Sequence, residues 1–151
     1  MNYIEAPNKY NGKEKSIFLA GGITNCYDWQ KEVSKKLKDL PITIFNPRRE
    51  NFSGEDLISE QKQIKWEFEH LRKATAISFY FSKETLNPIT LLELGSWLNS
   101  DKKLFIGIDP DYQKKFNVII QTKLARSEIE IVFSLNELAN QIKSWLLTDI
   151  I

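Results

Sequence analysis

The chain has 151 residues, enough for one domain with a buried core, and its 42% hydrophobic and 27% charged residues are an ordinary globular composition. With 21 basic and 20 acidic residues the formal net charge is +1, which argues against a protein that holds nucleic-acid polymers on a basic surface. One cysteine, Cys26, and one histidine, His70, leave no disulfide framework and no cysteine-built or histidine-rich metal site within the chain, so any catalysis is expected to fall to carboxylates.

Residues 1–14, MNYIEAPNKYNGKE, are polar and irregular and read as an N-terminal arm ahead of a single domain over 15–151. This end lacks the apolar centre of a signal peptide. No apolar run approaches the ~20 residues of a membrane span, so the expected setting is the cytoplasm, with no membrane partner. The first strand is SIFLA (16–20), followed by the glycine pair Gly21-Gly22 and a helix over 28–39 that opens on Asp28-Trp29. A second strand, ITIF (42–45), runs into NPRR, which carries Arg48 and Arg49. A helix over 55–73 comes next, with Ser53 as its cap and Asp56 three residues on. The third strand is AISFYF (76–81), and Asn87-Pro88 opens a helix over 88–99. Then come LFIGI (104–108), the DPDYQKK segment with Tyr112, a weaker helical pattern over 113–125, EIVF (130–133) and a helix over 135–147.

The strands are short, apolar and largely non-alternating, as strands covered on both faces should be. Their alternation with helices predicts an α/β fold, a doubly wound parallel sheet with helices on both faces. Five strands suggest the flavodoxin-like order 2-1-3-4-5. Ligands in such folds bind beyond the carboxyl ends of the strands near the switch point. That rule selects GGITNCYDW and SKETLNPITLLELG.

The second segment holds an acid in apolar company. Asn87 is placed to cap the helix and Pro88 suits its first position. Glu93 then falls in the second turn, where the positive helix end favours its ionised form. Leu91, Leu94, Gly95 and Leu98 share one face, and Glu93 lies on the other side with Ile89 and Trp97. Gly95 costs roughly 1 kcal/mol against Ala in mid-helix and suggests a close approach by a backbone or ligand. By these residues alone Glu93 is equally well read as a solvated acid; its place at the crevice favours a functional one. On the preceding helix, Ile64, Phe68 and Leu71 define the predicted buried face. Glu67 sits on one shoulder of that face and Glu60 on the other, and a salt bridge with Arg72 or Lys62 is the bland reading for Glu67. His70 points away from the face, toward solvent. Two carboxylates in a pocket nearly free of histidine suit glycosidic chemistry.

Taken in order and spacing, IFLAGGITNCYDWQKE, FNPRR, QIKWEFEHL and ETLNPITLLELG resemble the nucleoside 2-deoxyribosyltransferase-like family, from about Ile17 to Phe133. The resemblance implies a flavodoxin-like sheet and cleavage or transfer at the N-glycosidic bond of (deoxy)nucleosides, or of nucleoside 5′-monophosphates in a hydrolase branch. Glu93, in the ELG motif, is then the nucleophile, and Glu67 assists the departing base. Asn87 stands where the transferases usually carry a carboxylate that binds sugar hydroxyls. Phe18 stands where several carry Tyr. Gly21 and Gly22 let a ligand approach the backbone, or serve equally well as a tight strand-to-helix turn. Asp28 caps its helix or reaches the sugar, Arg48 holds a phosphate or makes a structural ion pair, and Tyr112 covers a base or anchors its loop. Nothing near Cys26 argues for an activated thiolate. The implied partner is a nucleoside or nucleotide small molecule, and the implied assembly is a homo-oligomer, a dimer or higher. A non-catalytic nucleotide-binding module is the rival from another class.

Overall fold

The structure, a computed structural model, describes residues 1–49 and 56–148. Six strands among them form one parallel sheet: β1 (Asn2–Glu5), β2 (Ser16–Gly21), β3 (Thr43–Asn46), β4 (Ala76–Phe81), β5 (Lys103–Ile108) and β6 (Ile131–Val132), in the order β1-β3-β2-β4-β5-β6. Five helices connect them: α1 (Trp29–Lys36), α2 (Leu57–Lys73), α3 (Pro88–Trp97), α4 (Lys115–Ala125) and α5 (Leu135–Thr148).

The five expected strands take the expected flavodoxin-like order. The correction is a sixth strand, which comes from the arm. Asn2 to Glu5 pairs in parallel with Thr43 to Asn46, closing the open edge of β3. Four residues that remain exposed or half-buried, ahead of Pro7, carry little strand pattern of their own; the β3 edge supplies the missing backbone partners. The rest of the arm is also tied down, with Ala6 and Tyr10 buried and Trp66 Nε1 donating to the Asn8 carbonyl at 2.7 Å.

The strands alternate between two cores, which the composition of continuous apolar runs concealed. Phe18 and Ala20 of β2, Phe79 of β4 and Ile106 of β5 join Trp66, Leu94 and Val118 on one face. Ile17 and Leu19 join Trp29, Val33, Leu138 and Ile142 on the other. Helices α2, α3 and α4 thus cover one side and α1 and α5 the other, each fully buried large side chain contributing about 1.5–3 kcal/mol. No helix among the described residues is long and apolar enough to cross a membrane.

Helix α2 rests on a different face from the predicted one. Ile64 and Phe68 are 58% and 54% exposed, whereas Gln63, Trp66, His70 and Leu71 are buried. The reason is aromatic. Trp66 stacks on His70 with ring centroids 4.0 Å apart and lies against Phe18, so an indole and an imidazole take the place of the aliphatic stripe. His70 is therefore buried, with Nδ1 2.8 Å from the Trp66 carbonyl, and burial lowers its pKa. Asp56 is the cap of α2, its Oδ1 accepting from the Ser59 N–H at 2.8 Å; Ser53 lies outside the described residues. Strand β2 pairs with β3 on one side and β4 on the other, so the chain reverses its winding beyond Gly21 and Tyr80, its carboxyl-terminal register pair.

Candidate active site

Gly21 and Gly22 begin the site at the end of β2. A Cβ on Gly21 would lie 2.5 Å from the Trp29 ring and 2.7 Å from the Tyr80 carbonyl; one on Gly22 would lie 2.4 Å from Asn87 Oδ1. Both glycines are required by close approach. The Gly22 carbonyl accepts from Trp29 Nε1 and Gln30 Nε2 at 3.2 and 3.1 Å. Arg48 clamps the same loop. Its Nη2 donates to the carbonyls of Gly22, Cys26 and Tyr27, its Nε donates to Gln30 Oε1, and it pairs with Asp28 at 3.5 Å. Asp28 also caps α1, accepting from the Lys31 N–H at 3.0 Å. Asp28 and Arg48 thus shape the loop, and neither lines the cleft it covers.

Asn87 does not cap α3 as predicted. It sits in the left-handed region at φ 50°, and its amide nitrogen turns back to donate to the carbonyls of Ser82 and Thr85 at 3.0 and 2.9 Å. Its Oδ1 is left buried with no hydrogen-bond partner, facing Gly22. An orphan acceptor costs about 1–3 kcal/mol until something donates to it.

Phe18, Gly21, Gly22, Glu67, Asn87 and Glu93 are brought together around one cleft of about 310 Å³, with Thr24, Pro47 and Thr90 completing its wall. Glu60, equal to Glu67 by helical geometry, does not reach it. Tyr112 is not brought in either: it is buried, its hydroxyl donates to the Leu86 carbonyl at 2.7 Å, and its ring packs on Phe81. Its role in the structure is to hold the connection between β4 and α3. Gly95 faces open space: among the described residues, its own helix turn aside, nothing lies within 4 Å of an added Cβ.

The electrostatics of the two acids are the cleft's main chemical feature. Burial pushes Glu93 up to about 8, and the Glu67 charge adds to the shift. Desolvation and a like charge therefore outweigh the helix-end effect expected from the sequence. Burial also raises Glu67, opposed by the hydrogen bond from Gln63 Nε2 at 2.6 Å and by the charge of Arg49. Gln63 is itself anchored by donating to the Pro47 carbonyl at 2.8 Å. The two acids are coupled, so ionising either makes the other harder to ionise. Coupled carboxyl groups in one cleft, one holding a proton while the other ionises, are the arrangement glycosidic cleavage needs. Gln63 and Thr90 are the contributors that sequence reading passed over, and Arg49, read from the sequence as a partner for phosphate or for acids, acts here through its charge on Glu67. Of these, Gln63 was legible as the i−4 neighbour of Glu67 on a helix.

A doubly wound parallel sheet with a carboxylate pair in the crevice at its switch point defines a flavodoxin-like α/β protein, and in folds of this class that crevice is where ligands bind. The model of the family described as nucleoside 2-deoxyribosyltransferase like matches residues 14–112, more than half of the chain, and the protein belongs to that family. The matched stretch contains the glycine loop, both acids and Asn87. No curated protein matches the chain.

Proposed function

We propose that the protein cleaves or transfers at the N-glycosidic bond of a (deoxy)nucleoside, with Glu93 as nucleophile and Glu67 as proton donor. The observation that carries this is the desolvated, mutually repelling pair Glu67 and Glu93 facing one cleft. A ligand raises positive charge at C1′ as the base begins to leave. That charge favours the ionised form of Glu93 and moves the pair's proton onto Glu67. A Glu93 oxygen then bonds to C1′ while the C1′–N bond breaks toward the base, which takes the proton from Glu67. In the second step a new base or water attacks C1′, its proton passes to Glu67, and Glu93 leaves as carboxylate.

Asn87 Oδ1 accepts from a sugar hydroxyl and so loses its orphan status on binding. Phe18 packs below the pair but has no hydroxyl to donate to it. No cofactor enters the scheme. Asn87 also supports a second reading, a nucleoside 5′-monophosphate N-glycosidase. A neutral amide in place of a carboxylate removes a charge that would repel a phosphate.

We further propose a dimer in the cytoplasm. Exposed Ile64, Phe68, Ile89 and Leu92 flank a groove beside the acids, with Glu60 and Arg72 along it. Two α2 helices crossing antiparallel on a two-fold axis set Ile64 of each against Phe68 of the other, and Glu60 against Arg72.

The test is a product screen by mass spectrometry over deoxynucleosides and their monophosphates, with and without acceptor bases. Free sugar product without acceptor marks the hydrolase, and base exchange marks the transferase. Glu93→Ala should abolish either. Cleavage that persists in that variant removes Glu93 as nucleophile, and ligand binding without any turnover by the parent protein establishes the binding module instead.

A further inference from the structure

A second cavity, of about 740 Å³, adjoins the cleft, and Ile23 and Thr24 line both. Its charge differs from that of the molecule. Lys31, Lys35, Lys38, Arg48 and Arg49 face it against Glu5 and Asp28, five cations against two acids, in a chain whose formal net charge is +1. Asp28 is already engaged by Arg48 and the Lys31 N–H. Lys31 and Lys35 stand one turn apart on α1, and Lys38 continues the stripe from the turn that follows the helix. Among the described residues no carboxylate pairs with Lys31, Lys35 or Lys38; the acid on that helix, Glu32, turns away to Lys36 and Tyr27. Ser34, between the lysines, is 6% exposed, lines the cavity, and its hydroxyl has no hydrogen-bond partner. Opposite stands the ring of Tyr3, 40% exposed, its hydroxyl accepting from Asn46 Nδ2.

The first cleft has room for one nucleoside and little else, whereas the second is more than twice its volume. Unpaired ammonium groups and an unsatisfied buried hydroxyl are a donor set for phosphate oxygens. An exposed aromatic ring beside them is a platform for a nucleobase. We propose that this cavity receives a phosphate-bridged extension of the substrate, a second nucleoside joined through pyrophosphate. The preferred ligand is then a dinucleotide whose scissile nucleoside occupies the Glu67–Glu93 cleft. The cut bond rests on the function proposed above; the binding of the extension does not.

Calorimetric titration of the Glu93→Gln protein tests it, with four probes of one base: nucleoside, 5′-monophosphate, 5′-diphosphate and the pyrophosphate-linked dinucleotide. Affinity should rise about 10- to 100-fold from nucleoside to dinucleotide, as one or two charge-assisted hydrogen bonds would give. Added salt should erode the gain. Reversing the stripe with Lys31→Glu, Lys35→Glu and Lys38→Glu should abolish it while leaving nucleoside affinity as it was. Tyr3→Ala should remove the step between diphosphate and dinucleotide. All three lysines are exposed, and thermal melts verify that the variant folds. A dinucleotide that binds no tighter than the nucleoside, or a gain that survives the charge reversal, overturns the proposal. Turnover of plain nucleosides alongside that result would leave the glycosidic function standing. Tight, stripe-dependent dinucleotide binding with no turnover by the parent protein would sink that function and keep the extension site.

Discussion

Replacing Glu93 by Gln should make the protein more stable in alkaline solution, because the folded state holds this carboxyl where its charge is unwelcome. An acid whose pKa is raised on folding binds its proton more tightly in the native state than in the unfolded one. Its contribution is therefore fully present below its ordinary value of 4.5, and stability is lost as pH climbs toward about 8. Ionising a group shifted that far costs roughly 5 kcal/mol if it stood alone. Part of the shift belongs to the Glu67 charge and is shared between the two acids, so the expected gain for Glu93→Gln at alkaline pH is about 2–4 kcal/mol. The amide is close in shape and cannot ionise, so the variant should be much less sensitive to pH over this range. Denaturant unfolding of both proteins from about pH 5 to about pH 9 reads the difference directly. A parent protein whose stability holds level or rises across that window, or a variant that tracks the parent throughout, refutes the account of the pair.

Glu67→Gln should lower the Glu93 pKa by removing its like charge, moving the acidic limb of the pH–rate profile down, and should cut kcat by about 10²- to 10⁴-fold. The loss should shrink for substrates whose base departs without protonation; an unshifted limb contradicts the coupling. Gly22→Ala drives a methyl group against Asn87 Oδ1, which two donated hydrogen bonds hold in place, and should destabilise by about 1–3 kcal/mol and weaken nucleoside binding. Native-like melting and affinity in that variant would show the contact to be soft. Phe68→Glu together with Leu92→Glu, both at exposed positions, should turn a dimer into a monomer in sedimentation analysis; an unchanged mass removes the α2–α3 face as the interface.

The fold was legible because its logic is local and repeated. Apolar strand runs, Asp28 and Pro88 at helix starts, and the alternation of elements all point to a covered parallel sheet, and the sheet adopts the order that pattern implies. What escaped depends on partners distant in sequence. Asn2 to Glu5 is a strand because β3 has an open edge. The buried face of α2 was misread because a wheel counts aliphatic positions and cannot see Trp66 and His70 stacking under β2. Glu93 was singled out for its apolar company, yet its charge state was assigned from the helix end alone. Burial in the packed structure, and after it the charge of Glu67 on another helix, reverse that sign. Tyr112 was left open between covering a base and anchoring its loop, and the structure makes it the anchor. Its hydroxyl is spent on the Leu86 carbonyl 26 residues earlier, a distance no local pattern encodes.

The places where local preference is overruled gather in one spot. Asn87 adopts a left-handed backbone that costs a non-glycine residue about 1–2 kcal/mol. It leaves an acceptor buried without a donor, and it stands in the same cleft as two acids held away from water. A core optimised for stability alone would relieve each of these, since a hydrophobic residue at 93 and a glycine at 87 would fit the backbone at lower cost. Their coincidence at the switch point fits the proposed ligand, whose sugar hydroxyl would satisfy Asn87 and whose developing charge at C1′ would favour ionised Glu93 only as the base departs. On that account a bound nucleoside, neutral in its ground state, satisfies the orphan acceptor but excludes more water from Glu93, so a saturating nucleoside should steepen the pH dependence of stability in the parent protein while leaving Glu93→Gln unaffected in slope.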